Sequence, residues 1–305
     1  MRLAVLLLAL WAGTAFAEPA RPLRIVTYNI LHGGPASGFS DGGTHLPQRL
    51  AMAIRALTAL DPDIVALQEA SRSRRYGNVP EAVAEALGLH LVFAPATDRV
   101  FGFRPLGRLL TALLGFTEGS AVLSRFPIVD SEVYDLPRCR RFLDPRILLR
   151  AEVATPWGPL QIYSTHTSRN ADCQGRRVGE IVRERRDAGP SLLMGDFNMS
   201  ESSAVLTALR EEAAFVDVFR AANPDHAGHT VWQRLEAERS TVFRRVDYIF
   251  LLDGQRTAGA VRSSRVVLDR PGQAPDGGPL WPSDHYGVYA EVEIVPTDQP
   301  RALAR

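Results

Sequence analysis

An acid and an amide stand two residues apart at the end of a short apolar run, and together they can hold a water or an oxyanion. The run covers residues 191–194, and Gly195, Asp196, Phe197 and Asn198 follow it. Successive side chains of an extended segment alternate between its two faces, so Asp196 and Asn198 share one side. A carboxylate and a carboxamide on one side can orient a metal-bound water or a phosphoryl oxygen. The segment alone indicates either an ordinary turn, since Gly-Asp-x-Asn turns are common, or hydrolytic chemistry at the end of a buried strand.

Similar polar side chains recur where other apolar runs begin or end. The further positions of this kind are Asn29, Glu69, His166, Asp247, Asp284 and His285. A single polar residue at a strand end ordinarily faces solvent, and by itself it indicates no chemistry. Together with Asp196 and Asn198 these positions number eight, and they indicate one polar site that several strand ends share.

The apolar runs that carry these residues are mainly strands. Helical periodicity is predicted over residues 47–60, 80–87, 174–186 and 202–210. The predicted strands outnumber these helices, and hairpins such as the one around residues 156–159 join many of them. The pattern predicts an α+β fold in which two mixed sheets pack face to face with helices outside.

Six of these segments, in this order, resemble the motifs of the endonuclease/exonuclease/phosphatase superfamily. They are Thr-Tyr-Asn at 27–29, Leu-Gln-Glu at 67–69, Ser-Thr-His at 164–166, Gly-Asp-Phe-Asn at 195–198, Val-Asp-Tyr-Ile-Phe at 246–250 and Ser-Asp-His at 283–285. This superfamily includes deoxyribonuclease I, exonuclease III, neutral sphingomyelinases and inositol polyphosphate 5-phosphatases. The resemblance implies a four-layer α/β/β/α sandwich with two packed mixed β-sheets and its site at one end of them. It also implies divalent-metal-dependent hydrolysis of a phosphoester.

The resemblance implies a metal site at Glu69, with Asn29 assisting and Asp284 contributing. Hard oxygen ligands of this kind favour Mg²⁺, with Mn²⁺ or Ca²⁺ as alternatives, over zinc. A further carboxylate, Glu118, would brace His166 as a carboxylate does in deoxyribonuclease I.

The same resemblance implies catalytic roles for the other positions. His285 would be the general base that activates water, and Asp247 would fix the tautomer of His285. Asp196 and Asn198 would orient the nucleophile and a nonbridging oxygen, and His166 would donate a hydrogen bond to the phosphate. Members of the superfamily differ over whether the histidine or the aspartate takes the proton of the water. Both His285 and Asp196 therefore stay open as the general base.

The substrate class stays open between several hypotheses. After Glu69, the loop 71–75 carries Arg72 and Arg74, which would clamp a phosphodiester. Asn198 is followed by Met-Ser and not by the Tyr-Arg of the inositol phosphatases, which argues against that branch. The main hypothesis is an exported phosphodiesterase with phospholipids or sphingolipids among its substrates. The alternatives are a secreted deoxyribonuclease I-like endonuclease and a catalytically inactive binding module of the same fold.

An insert from Asp98 to Thr117 bears on this choice. Five leucines recur on it at helical spacing and form one stripe. They are Leu106, Leu109, Leu110, Leu113 and Leu114. Pro105 suits the first turn of such a helix and Gly115 its end. Either the stripe packs on the sandwich as core, or it faces a lipid with arginines near the headgroups, which would give the protein a peripheral membrane contact.

The first residues predict export. Met1 and Arg2, the apolar run 3–11 and the Ala-x-Ala at 15–17 describe a secretory signal peptide over residues 1–17, of the kind found in secreted bacterial enzymes. The mature chain is expected to be secreted or periplasmic. It contains no repeat or linker, which predicts one catalytic domain over residues 18–295 followed by a flexible tail over 296–305.

Charge and cysteine content narrow the class further. The chain has 35 basic and 34 acidic residues, so it lacks the basic field that favours binding of long nucleic acids. The protein is expected to be a monomer. The two cysteines, Cys139 and Cys173, fit an exported protein with one disulfide, and two unpaired thiols are the alternative.

Overall fold

The computed structural model describes residues 21–32, 44–100, 104–139 and 143–297. The predicted signal peptide and nearly all of the predicted tail lie outside these residues. Within them, the α-helices are α1 (Leu46–Leu60), α2 (Val79–Leu87), α3 (Arg104–Leu114), α4 (Asp172–Glu184), α5 (Ala204–Glu211) and α6 (Val218–Ala222). The strands are β1 (Leu23–Asn29), β2 (Ile64–Ser73), β3 (Gly77–Asn78), β4 (His90–Pro95), β5 (Phe116–Ser124), β6 (Ile128–Asp135), β7 (Ile147–Thr155), β8 (Gly158–His166), β9 (Ser191–Asp196), β10 (Val216–Asp217), β11 (Asp247–Leu252), β12 (Thr257–Val267), β13 (Gly272–Gln273), β14 (Pro279–Leu280) and β15 (Gly287–Pro296).

Most of these strands form two mixed β-sheets, which confirms the predicted fold class. Sheet A has the order β12-β15-β1-β2-β5-β4, with β3 paired to β2. Sheet B has the order β10-β11-β9-β8-β7-β6, and β13 and β14 form a separate hairpin. The pairs β1–β2 and β8–β9 are parallel, and the other neighbouring strands are antiparallel. Each large sheet therefore has one parallel pair at its centre.

Apolar packing joins the two sheets and their helices into four layers. Between the sheets, Ile64 and Val122 of sheet A meet Ile162 and Leu192 of sheet B, and all four side chains are fully buried. The outer face of sheet A packs against α1 and α2, and the outer face of sheet B packs against α4 and α5. The central strands are buried on both faces, so they appear in the sequence as continuous apolar runs. The layer order is the predicted α/β/β/α sandwich.

The strand directions bring the polar strand ends to one edge of the sandwich. Strand β1 ends at Asn29, level with the residue that precedes Glu69 in β2. Strands β8 and β9 end opposite each other at His166 and Asp196. Strand β11 runs the other way and begins at Asp247, which pairs with Asp196. Polar side chains can remain at this edge because the apolar layers end there.

Helix α1 is tied to this edge by a buried arginine. The Arg49 guanidinium donates hydrogen bonds to the carbonyl oxygens of Ile30 (3.1 Å) and Leu31 (3.0 Å), which follow β1. It also donates to the carbonyl oxygen of Pro282 (3.2 Å), five residues before β15. A buried guanidinium is tolerated when its donors are satisfied in this way. Arg49 therefore fixes the two loops of sheet A that carry site residues.

Helix α3 packs through its small residues and turns its leucines outward. Gly107 and Thr111 are buried, and a Cβ on Gly107 would stand 1.9 Å from the backbone oxygen of Asp98. Leu109 and Leu113 are 57% and 66% exposed, so the alternative that places the leucine stripe in the core is wrong. Among the described residues, no helix is long and apolar enough to cross a lipid bilayer.

A disulfide joins Cys139 to Cys173, with their Cα atoms 6.0 Å apart, and confirms the predicted pairing. The bridge ties the segment that follows β6 to the first turn of α4. In the same place the Gln174 side chain donates a 2.9 Å hydrogen bond to the carbonyl oxygen of Pro137. The loop between β8 and α4 is therefore anchored at its far end, a few residues from His166.

Candidate active site

Glu69 is aimed by an irregularity in strand β2. The register of β2 against β5 shifts between Leu67 and Ala70, and Glu69 between them has a φ of 52°. A left-handed φ costs a residue with a Cβ about 1–2 kcal/mol. The side chain of Glu69 remains 17% exposed. The bulge thus uses a strained residue to turn a carboxylate toward the open edge of the sandwich.

Asn29 joins the two sheets at this edge. Its side-chain nitrogen donates to Glu69 Oε1 (3.3 Å) on sheet A and to Asp196 Oδ2 (3.2 Å) on sheet B. Its side-chain oxygen accepts from the backbone nitrogen of Leu31 (3.1 Å). In this orientation the amide presents donors to the carboxylates, so its direct contribution here is to hold Glu69 and Asp196 together. Its role as a metal ligand stays a prediction.

Asp196 lies at the centre of the cluster, and Asn198 wraps around it. The backbone nitrogen of Asn198 donates to Asp196 Oδ1 (2.8 Å), and its side-chain nitrogen lies 3.2 Å from Asp196 Oδ2. This close wrap needs a φ of 50° at Asn198, a value that asparagine tolerates better than most residues. Burial raises the pKa of the Asp196 carboxyl to about 7, and the attraction of His285 opposes this rise.

His285 forms an oriented pair with Asp247. Its Nδ1 is 2.9 Å from Asp247 Oδ2, and its Nε2 is 3.7 Å from Asp196 Oδ2. Burial alone would lower the pKa of His285, but the negative charges of Asp247 and Asp196 raise it to about 10. With Nδ1 engaged by Asp247, Nε2 is the atom that can exchange a proton at the site.

His166 differs from His285 in its electrostatic environment. Burial lowers the pKa of His166 well below its usual value, and repulsion from Arg146 and His285 lowers it further. Its Nε2 is 3.0 Å from the side-chain nitrogen of Asn198, and its Nδ1 is buried without a hydrogen-bond partner. In the described part of the chain no hydrogen bond joins Glu118 to His166, so the expected brace is not formed. His285 therefore tends to keep its proton, whereas His166 tends to stay neutral.

Asp284 completes the acidic cluster from sheet A. Burial raises the pKa of its carboxyl, and the nearby charge of Glu69 raises it further. The preceding residue, Ser283, donates a 2.8 Å hydrogen bond to the carbonyl oxygen of Asn29. The same hydroxyl accepts from the backbone nitrogen of His285 (3.2 Å). Ser283 thus fixes the loop that carries both Asp284 and His285.

The donor set fits a hard divalent cation. One donor atom from each of Asp196, Asp247 and His285 lies within 4.8 Å of the others. Asp247 Oδ1 is buried without a hydrogen-bond partner. A buried carboxylate oxygen of this kind is costly unless a nearby cation balances its charge. Glu69 lies across the cluster on sheet A and reaches solvent, so it can receive an ion that the buried carboxylates then help to balance.

Two further residues lie close to the cluster, and the sequence assigned no role to either. His32 Nε2 is 3.3 Å from Glu69 Oε2, and the ring of His32 contacts Phe116 edge-on at 5.4 Å. Arg146, whose Nε is 2.8 Å from Asp144 Oδ1, is close enough to influence the pKa of His166. His32 directly follows the strand that ends in Asn29, which was the only signal for its position. Arg146 stands just before β7, and no motif marks it.

The structure does not bring Arg72 and Arg74 to the acidic cluster by any described contact. The Arg72 guanidinium lies 4.4 Å from the centre of the Phe93 ring, and Phe93 packs with the core beneath α1 and α2. Arg74 donates a 3.3 Å hydrogen bond to the carbonyl oxygen of Ala112 in α3. Both arginines therefore lie on the side of sheet A where α3 packs. Their role in substrate binding stays a prediction.

Solved structures of low sequence identity share this fold. An endonuclease/exonuclease/phosphatase family protein from Bacteroides thetaiotaomicron is 18% identical, with a TM-score of 0.67 over 92% of this chain and 97% of that chain. A mannosyl-6-phosphatase from the same species is 20% identical, with a TM-score of 0.66 over 90% and 99%. A humanised TDP2 from D. rerio is 18% identical, with a TM-score of 0.62 over 89% and 98%. Among proteins of curated function, no sequence matches this chain.

The match to a family model is more direct, because it compares sequence patterns along most of the chain. The model of the Endonuclease/Exonuclease/phosphatase family matches residues 26–285. This stretch begins in β1, ends at His285, and contains all the strand ends that meet in the cluster. The chain therefore belongs to the endonuclease/exonuclease/phosphatase family.

Proposed function

We propose that this protein is an exported, divalent-metal-dependent phosphodiesterase whose single catalytic domain spans residues 18–295. The observation that carries the proposal is the meeting of Glu69, Asp196, Asp247 and Asp284 where the two sheets end. Burial, together with the neighbouring carboxylates, raises the pKa values of Asp196 and Asp284, which is costly for folding and useful for binding a cation. Mg²⁺ is the proposed ion, with Mn²⁺ or Ca²⁺ as substitutes, because the donors are hard oxygens.

Glu69 and Asp284 are the proposed ligands of the ion. Asn29 holds Glu69 in place through its 3.3 Å hydrogen bond and assists from the floor of the site. When bound, Mg²⁺ neutralises the negative charge of the phosphoryl group. All the remaining chemistry belongs to side chains of this protein.

Proton transfer from the attacking water is assigned to the centre of the cluster. Asp247 engages Nδ1 of His285 and thereby leaves Nε2 to hold or release a proton. Asp196 Oδ2 lies 3.7 Å from that Nε2 and 3.3 Å from Nε2 of His166. The water can therefore give its proton to Asp196, or to His285 when Nε2 of that ring carries no proton. The pH profiles of variants at these two positions separate the alternatives.

His166 and Asn198 are the proposed donors to the phosphate. Without substrate the side-chain nitrogen of Asn198 donates to Nε2 of His166 (3.0 Å), and a phosphoryl oxygen between them would accept from both when Nε2 carries the ring proton. The lowered pKa of His166 keeps its ring neutral, which avoids a second buried cation beside the protonated His285. Donors fixed in place before the reaction stabilise the charge that develops on the phosphoryl oxygens.

The proposal also includes export of the protein and a class of substrate. The basic start, the apolar run and the Ala-x-Ala of residues 1–17 support export, and the Cys139–Cys173 bridge suits an oxidising compartment. The exposed leucines of α3 favour a phospholipid or sphingolipid phosphodiester as the substrate. A secreted endonuclease is the second candidate, because the site resembles that of deoxyribonuclease I.

A substrate panel tests the proposal. It contains sphingomyelin, glycerophospholipids, DNA, a chromogenic diester and mannose 6-phosphate, each assayed with Mg²⁺ and with EDTA. We expect turnover of a phosphodiester that EDTA abolishes and that Glu69→Ala lacks. Turnover that persists in EDTA would contradict the metal-dependent mechanism. Metal-dependent turnover of mannose 6-phosphate alone would replace the phosphodiesterase by a phosphatase.

A further inference from the structure

Helix α3 leaves an apolar surface on the outside of the protein. Leu106, Leu109 and Leu113 are 46%, 57% and 66% exposed, and their spacing places them along one line of the helix. Contiguous exposed leucines of this kind mark interaction sites in soluble proteins. The opposite side of α3 carries Gly107 and Thr111, which pack closely. The leucines therefore cannot turn inward without separating the helix from the turn that precedes it.

A hollow lined by arginines adjoins this leucine surface. Arg72, Arg74 and Arg108 line it together with Phe116, and no acidic side chain is among the described residues that form its wall. Arg108 is 70% exposed although its Nε lies 3.7 Å from Asp98 Oδ2. Guanidinium groups bind phosphate oxygens in a planar, bidentate manner. The hollow is therefore suited to an anionic headgroup next to an apolar surface.

The leucine surface is also close to the catalytic cluster. Helix α3 leads directly into β5, whose first residue is Phe116. The Phe116 ring contacts His32 at 5.4 Å, and His32 Nε2 is 3.3 Å from Glu69 Oε2. Two side-chain contacts therefore connect the end of α3 to the proposed metal ligand. A partner bound to the leucine surface of α3 would therefore lie beside the candidate active site.

We propose that the leucine surface and the arginine hollow dock this protein on an anionic phospholipid bilayer. The leucines enter the acyl boundary, and Arg72, Arg74 and Arg108 meet the headgroup phosphates. The biological use of docking rests on the proposed function, since docking presents lipid phosphoesters to the site. Docking itself needs neither metal nor turnover. A second copy of the chain fits less well, because a twofold dimer through α3 would bring the same arginines together.

Vesicle sedimentation tests the docking directly. The full-length wild type and the double variant Leu109→Ser/Leu113→Ser, which share the same N-terminus, are mixed with vesicles of phosphatidylcholine alone or with phosphatidylglycerol added. We expect the wild type to bind the anionic vesicles, and the double variant to bind at least about tenfold more weakly. Added salt is expected to weaken wild-type binding because it screens the headgroup attraction.

Two controls keep the test interpretable. Val129→Ser removes an apolar side chain on β6 that is 59% exposed, and it should bind vesicles like the wild type. Glu69→Ala should also bind like the wild type, so a failure of catalysis is distinguished from a failure of docking. Equal binding by the double variant, or no binding by the wild type, would overturn the proposal. A wild-type dimer that the double variant loses, without vesicle binding, would assign the surface to a second copy.

Discussion

Two clusters of charged side chains contain residues only two positions apart in the sequence, but the balance of positive and negative charge in them is opposite. Arg245 belongs to an arginine cluster, formed with Asp217, Glu201 and Arg220, and Asp247 belongs to the catalytic cluster. In the arginine cluster, Arg245 Nη2 is 2.7 Å from Asp217 Oδ2 and 2.9 Å from Glu201 Oε2. Arg220 Nε is 2.8 Å from Glu201 Oε1. Cations and anions alternate there, whereas carboxylates face one another in the catalytic cluster.

The pKa values follow this difference. Hydrogen bonding from Arg220 lowers the pKa of Glu201 to about 2, although burial opposes this shift. Burial instead raises the pKa of Asp196 to about 7 and also raises that of Asp284. Paired charges stabilise the fold, while like charges held together are poised to bind a cation or to exchange a proton. The following predictions test whether the two clusters divide stability and chemistry in this way.

The largest effect is expected for Glu69→Ala, which should lower metal-dependent turnover on the order of a thousandfold through loss of the ion's contribution. The free energy of unfolding should not fall, because a negative charge leaves a cluster of like charges. Glu69→Gly should raise it by about 1 kcal/mol, since glycine adopts the left-handed φ without strain. Turnover assays and urea denaturation measure the two quantities. A Glu69→Ala protein as unstable as Arg245→Met would remove the contrast between the clusters.

Arg245→Met should have the opposite profile. Removing a buried guanidinium leaves Asp217 without its bidentate partner, and we expect the free energy of unfolding to fall by about 3–5 kcal/mol. Turnover per folded molecule should change far less than in Glu69→Ala. Arg177→Met breaks an exposed pair with Glu180 and should leave the unfolding midpoint close to that of the wild type, so it serves as the control. Equal unfolding midpoints for the two arginine variants would contradict the structural role of the arginine cluster.

His285→Ala should lower turnover by at least about a hundredfold, the usual scale for a general acid–base group. Asp247→Asn should lower it less, because the imidazole remains while its Nδ1 partner changes. The melting temperature of Asp247→Asn should stay close to that of the wild type, whereas His285→Ala should lower it because the buried Asp247 carboxylate loses its partner. The pH dependence of kcat/KM in His285→Ala and in Asp196→Asn then shows which group takes the proton. Full activity in His285→Ala would contradict the assigned mechanism.

The smallest effect concerns pH and the arginine cluster. The folded pKa of Glu201 lies at about 2, below its usual 4.5, so its contribution to stability is present above pH 4.5 and is lost as the pH falls toward 2. Glu201→Gln should reduce the change in the urea unfolding midpoint between pH 6 and pH 3. Urea denaturation at several pH values measures the slope. An unchanged slope in the variant would show that Glu201 does not carry this linkage.

Asp196 should have the opposite signature in the metal-free protein. Because burial raises its folded pKa from 3.8 to about 7, the wild type loses stability as the pH rises between these values. Asp196→Asn should remove that loss and be more stable than the wild type at pH 8. The same urea series, run in EDTA, checks the sign.

The location of the site was predictable from the sequence, but the direction in which its side chains point was not. Asp196 and His166 end apolar strands, and two parallel strands necessarily end at one edge of a sheet. The carboxylate of Glu69 reaches the same edge only because the register of β2 slips against β5. A register shift depends on a partner strand some fifty residues later, so no local pattern reports it.

The insert shows a second limit of sequence patterns. Periodicity correctly predicted the helix and its leucine stripe, since it reports which residues share a face. Periodicity cannot report whether that face points inward, because this depends on whether the opposite face of the helix can pack more closely against the protein. Gly107 allows a close approach to the backbone of Asp98, and this contact decides that the small side packs. Arg74 donates a hydrogen bond to Ala112 of this helix, and the substrate-binding role of Arg72 and Arg74 stays a prediction.

The place of β15 in sheet A affects when the candidate site can assemble during synthesis. Strand β15 lies between β12 and β1, and Asp284 and His285 immediately precede it. Strand β1 leaves the ribosome early, yet its antiparallel neighbour is made more than two hundred and fifty residues later. Pairing at such sequence distance is slow and gives the fold a high contact order. A nascent chain therefore carries Asn29 and Glu69 before Asp284 and His285 have been made, and the cluster is complete only after β15 has been translated.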